Sequence, residues 1–163
     1  MALFGTLRDI HVFKSMTREL LEDIITTQIG YYKIKLSDTP VNVYGEATKK
    51  YFIGPVLLNC LIERGDFGVN RIDYSVDVNR KSVFRFFKDH LIETNVFPEI
   101  GDVIMWNEHY FEVDNVNENQ FIVGKDNDYS YSSGLQNYGN SYSIILETHY
   151  ASPDSLGINL NRL

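Results

Sequence analysis

The sequence predicts an α+β fold in which an antiparallel β-barrel or rolled sheet is flanked by two helices and carries a long exposed loop. Three observations support this. Apolar residues alternate with polar ones along much of the chain, helical spacing is confined to two stretches, and 13% of the residues are aromatic. Eleven Tyr and ten Phe against one Trp is the bias of pleated, contact-rich surfaces.

The first helix is expected from about Met16 to Ile29. Ser15 is its cap, Glu19, Glu22 and Asp23 favour the positive end of its dipole, and Met16, Leu20, Leu21, Ile24, Ile25 and Ile29 recur at helical spacing, with Gly30 as the stop. Period two then takes over in Tyr32, Ile34 and Leu36, and again in Val41 and Val43 beyond the turn Ser37-Asp38-Thr39-Pro40. Gly54-Pro55 breaks the chain before a buried strand from Val56 to Glu63, and Gly65-Asp66-Phe67-Gly68 reads as a turn. From Asn70 to Asn79, Ile72, Tyr74, Val76 and Val78 share one face of a strand. Ser82 caps a second helix to about Glu93 with Val83, Phe86, Phe87 and Leu91 inward, ended by Asn95-Val96-Phe97-Pro98.

The C-terminal third reads as a meander. Val103 to Trp106 turns tightly at Asn107-Glu108 into His109 to Val116, and Asn117-Glu118-Asn119 precedes a strand from Gln120 to Gly124. Between Asn127 and Ser141, thirteen of fifteen residues are Asn, Asp, Tyr, Ser or Gly, which reads as an exposed flexible loop. A last strand from Ser141 to Ala151 puts Tyr142, Ile144, Leu146, Thr148 and Tyr150 on one face, before Pro153 and a polar tail over 152–163.

The 163 residues, 44% hydrophobic and 23% charged with a mean hydropathy of -0.22, suit one globular domain over 1–163 and exclude a disordered or collagen-like chain. The single cysteine, Cys60, permits no intrachain disulfide and no Cys-based zinc site, and points to a reducing compartment. No apolar stretch has the length of a signal peptide or a membrane span. The net charge of -7 is concentrated: residues 102–128 hold seven acids and one base, while the remainder has fifteen acids and fourteen bases. Phosphate-grasping DNA binding finds no basic stripe.

Catalysis has little to build on. His11, His90, His109 and His149 lie in separate elements without metal-ligand spacing, so no metal and no cofactor is expected. Glu108, His109 and Glu112 cluster on one hairpin and could serve a small enzyme, but no third group orients them. Asp73 and Asp77 share the wet side of a strand, as alternation alone produces. Cys60 stands among Leu58, Leu61 and Ile62, surroundings that make a thiol inert. Tyr129, Tyr131 and Tyr138 in the exposed loop offer large contact area at low entropy cost and are candidates for partner contact. A receptor- or glycan-binding module using the 127–141 loop is the alternative reading.

Phe97-Pro98-Glu99-Ile100-Gly101-Asp102-Val103-Ile104-Met105-Trp106, followed by Tyr110-Phe111-Glu112-Val113, resembles a pattern of head-to-tail connector proteins of tailed phages, in which a "pxxGDxI" strand enters a hairpin ending in "(Y/F)EV". The order of elements from Asp66 to Leu146 is similar to the neck, or head-completion, proteins of T-even-like contractile-tailed phages. The resemblance implies a structural, non-enzymatic virion protein of the neck, assembled in the host cytoplasm. It implies a homo-oligomeric ring, usually of six subunits, that meets portal-side connector proteins and a tail terminator or tail proteins. Such a ring retains packaged DNA and lets it pass without sequence specificity, and it involves no membrane. Glu108, Glu112, Asp114 and Glu118 are then the candidates to face the channel, since sixfold repetition would set on the order of twenty like charges around the bore.

Overall fold

The computed structural model describes residues 7–40, 50–72, 75–121 and 141–156. Helix α1 (Leu7–Glu19) runs into a π-helical segment (Leu20–Ile25), and α2 (Lys88–Glu93) and α3 (Pro153–Leu156) are short. Seven strands, β1 (Gln28–Ile34), β2 (Phe52–Asn59), β3 (Leu61–Ile72), β4 (Ser75–Phe87), β5 (Val103–Trp106), β6 (His109–Phe121) and β7 (Ser141–Ala151), form one sheet. Its order is β2-β1-β5-β6-β7-β4-β3 and all its ladders are antiparallel. The predicted α+β class is what the chain adopts.

Chain connectivity forces the sheet to roll. β2 and β3 are its opposite edges, yet only Cys60 separates them in sequence, so the sheet must curl until its edges approach at this corner. No ladder between β2 and β3 closes it among the described residues, and the result is a rolled sheet, not a barrel. Contacts across the interior agree: Arg64 of β3 lies over the Trp106 ring of β5, with three strands between them in the sheet, and Phe84 packs edge-on against Phe111 at 5.6 Å. The interior is filled by Ile29, Tyr31, Leu58, Cys60, Phe84, Phe86, Ile104, Phe111, Val113, Ile144 and Leu146. Alternate residues of the same strands, Val103, Tyr110 and Ala151, turn to the other face, where Leu156 of α3 covers them. The segment after Pro153, expected as a polar tail, thus begins with a helical turn anchored by a buried leucine.

Several expected elements differ. The first helix starts earlier and ends at Ile25, where Thr26 adopts a left-handed conformation (φ 47°) and donates its N–H to Leu21 O. Gly30 is no helix stop but pairs with Leu57 and Met105 inside β1. The helix's supposed inner residues Met16, Leu20 and Ile24 are exposed, and Leu21 is the buried one. Ser82 caps nothing: it is buried within β4, which continues to Phe87 because Phe84 and Phe86 face the core opposite Leu146 and Ile144 of β7. The second helix keeps only Lys88–Glu93. Val83, Phe86, Phe87 and Leu91 fit a helical stripe, but Ser82, Phe84 and Phe86 fit a strand equally, and cross-strand burial decides.

The other corrections concern turns. Gly65-Asp66-Phe67-Gly68 is a bulge inside β3, where the register shifts between Arg64 and Phe67. A Cβ at Gly65 would stand 2.7 Å from Lys81 O, so glycine is required there. The stretch 70–79 is not one strand but two arms of a hairpin, with Ile72 opposite Ser75. Gly54-Pro55 lies within β2, in cis, instead of preceding it, and Val56–Glu63 is divided at Cys60. Asn117-Glu118-Asn119 is no loop but an irregular part of β6, with register shifts on both sides. β5, the Asn107-Glu108 turn and β7 stand where they were expected, and β7 turns Ile144, Leu146 and Thr148 inward. The expected strand at 41–43 and the Tyr-rich loop lie outside the described residues.

Candidate functional site

The segment around Gly101 and Asp102 is a clasp. Gly101, at φ 91°, donates its N–H to Val113 O, and Val113 N–H returns a bond of 2.9 Å to Asp102 O. The Asp102 side chain is fully buried and accepts hydrogen bonds from the amides of Ile34 and Glu99, both at 2.8 Å, and from the Tyr31 hydroxyl. Burial first, and then this bond to a carboxylate, push the Tyr31 phenol well above its ordinary range. Asp102 therefore ties β1, the turn before β5 and β6 together. Although it is one of the seven clustered acids, its charge serves the core and not the surface.

The hairpin that the clasp positions carries the acidic candidates. Phe111 and Val113 point inward, so Glu112 and Asp114 point outward on β6. Glu108 sits at the tip with φ 65°, after Asn107 at φ 50°, a two-residue turn in which both central residues are left-handed. Glu118 is exposed further along the same strand. One of the four is balanced, with Lys50 Nζ 2.5 Å from Glu112 Oε1, and Asp114 Oδ1 is 2.7 Å from the His149 Nδ1 ring nitrogen. The face is less negative than the count of acids over 102–128 suggests.

The hairpin residues offered for catalysis are spread apart in role: Glu108 is exposed at the tip, His109 packs edge-on to Tyr150 at 5.7 Å, and Glu112 pairs with Lys50. Cys60 is buried, and burial pushes its thiol up to about 12. Tyr129, Tyr131 and Tyr138, with Asp73, lie outside the described residues, as does the side chain of Asp77.

Two surfaces escaped sequence reasoning. Val12, Phe13, Met16, Leu20 and Ile24 form an exposed apolar stripe on the N-terminal helix, and Ile53, Val56 and Leu57 are exposed on the edge strand β2. α1 is tethered through Lys14 to Asp89, at 2.8 Å, and through Arg18 to Glu93. Helical periodicity marked Met16, Leu20 and Ile24, but only the tertiary arrangement shows that nothing in the described chain covers the stripe they form with Val12 and Phe13.

No family model matches this chain, and no curated protein does. Among solved structures, one chain from the virion of a native gene transfer agent particle is similar, with a TM-score of 0.45 and 8% identity over 77% of this chain and 94% of that one.

Proposed function

We propose that this protein is a structural, non-enzymatic subunit of the neck of a tailed-phage-like virion, forming a ring that joins the head to the tail and retains packaged DNA. The observation that carries this reading is the hairpin whose motif resembles the phage connectors. Its Gly-Asp pair clasps three strands, and the hairpin so fixed presents Glu108, Glu112, Asp114 and Glu118 outward. Glu108 adds a physical argument. A glutamate at a left-handed turn position costs on the order of 1 kcal/mol relative to glycine, so its charge is held at the tip against a local conformational preference.

In a ring these carboxylates face the channel, where they repel DNA phosphates and let the duplex slide. Portal-side connectors and tail proteins are the partners in this reading, and the Tyr-rich loop contacts a neighbouring ring. Electron microscopy of particles carrying a tagged copy tests the reading. Density for the tag on the axis between capsid and tail is expected, and density elsewhere on the particle refutes the proposal.

A further inference from the structure

The mouth of the roll holds a cavity of about 260 Å³ between the β3–β4 and β5–β6 hairpins. Arg64, Arg80 and Lys81 line it from one side, Trp106 and His109 from the other, and Ser82 lies deepest, 2% exposed. No carboxylate among the described residues lines it. Arg64 is in register with Ser82, which turns its side chain to the interior, and its guanidinium carbon lies 5.1 Å from the Trp106 ring centroid. Trp106 is itself wedged against Phe84 and Phe111. Stacking therefore fixes the guanidinium plane and leaves its N–H edge available for a planar oxyanion.

Most of the bases outside the cavity whose side chains are described are paired. Lys14, Arg18, Lys33, Lys35, Lys50 and Arg85 each have a carboxylate partner. Arg64 and Lys81 have none among the described residues, in a chain with 22 acids to 15 bases. The Ser82 hydroxyl, although buried, also has no hydrogen-bond partner among them, and a buried unpaired hydroxyl at the floor of a cationic cavity calls for an acceptor.

We propose that this cavity binds the carboxylates of an acidic protein segment: the Arg64 fork takes two oxygens and Ser82 donates from below. A nucleic-acid strand fits less well. Its phosphates repeat beyond the cavity, and the adjoining rim continues into exposed Glu108, whereas a short acidic segment presents its carboxylates and ends.

Trp106, the sole tryptophan, reports on the site. The full-length protein is titrated with an end-blocked oligoglutamate peptide, and in parallel with oligothymidylate and inorganic phosphate, following Trp106 fluorescence with calorimetry alongside. The expected result is saturable binding of the peptide that weakens with salt. R64Q, at an exposed position, should weaken it about tenfold, the scale of one charge-assisted hydrogen bond, and K81Q, whose side chain leaves the other face of β4, should weaken it less than R64Q does. Saturation by oligothymidylate or phosphate in preference to the peptide overturns the proposal in favour of a phosphate ligand. Peptide binding that R64Q leaves unchanged, or no binding of any probe, overturns it outright.

Discussion

Asp102 accepts three hydrogen bonds inside the core, and each donor loses its acceptor if the carboxylate is removed. Asp102→Ala should therefore lower unfolding free energy by about 3 kcal/mol or more, read as a shift of the urea midpoint, while Tyr31→Phe should cost only about 1 kcal/mol. A midpoint unmoved by Asp102→Ala would show that the clasp contributes nothing to stability. The Cys60 thiol has a sign to its pH dependence. Its folded pKa, about 12, exceeds the ordinary 9.0, so the native state holds its proton while the unfolded thiol ionises. That contribution is complete below pH 9 and is lost toward pH 12, at roughly 1.4 kcal/mol per pH unit. Cys60→Ala should flatten this part of the stability profile. The inert thiol was legible from its apolar neighbours. The burial of Asp102 was not, because a Gly-Asp pair reads as a turn and its donors Tyr31 and Ile34 lie about seventy positions away in sequence.

At the scale of elements, β4 and the bulge in β3 are the instructive cases. A methyl group at Gly65 collides with the Lys81 carbonyl, so Gly65→Ala should destabilise the hairpin by about 1–3 kcal/mol and speed amide exchange in both of its arms. Unchanged exchange would mean that the bulge adapts. Glu108→Gly should act in the other direction, raising stability by about 1 kcal/mol through relief of the left-handed turn, as measured by thermal unfolding. The meander from Val103 to Val116 was legible because short alternating strands around an Asn-containing turn admit one reading. Residues 82–93 were not, since Phe84, Phe86 and Phe87 satisfy both periods, and only the ladder to β7 chooses between them. The N-terminal helix was legible as a helix, but its direction of burial was not, because amphipathicity shows that a helix has an apolar face and says nothing of what lies against it.

For the whole molecule, the charged face of the hairpin and its mechanical clasp separate into different experiments. Under the ring reading, Glu108→Lys with Glu118→Lys should leave the thermal midpoint within about 1 kcal/mol of the parent, because both side chains are exposed. Particles carrying them should release DNA more slowly, as measured by DNA-dye fluorescence after triggered ejection. Normal ejection from fully assembled particles would refute a channel-facing role. The sequence by itself determined the α+β class, the antiparallel meander, the closing strand, the inert cysteine and the acidic concentration, because each rests on local periodicity or composition. Only the tertiary structure decided that the sheet rolls without closing, that Ser82 belongs to a strand, that Asp102 is a core clasp, and that Arg64 stands at the mouth without a carboxylate partner among the described residues. Each of these depends on residues distant in the chain meeting across the roll, and local patterning carries no information about which distant residue that will be.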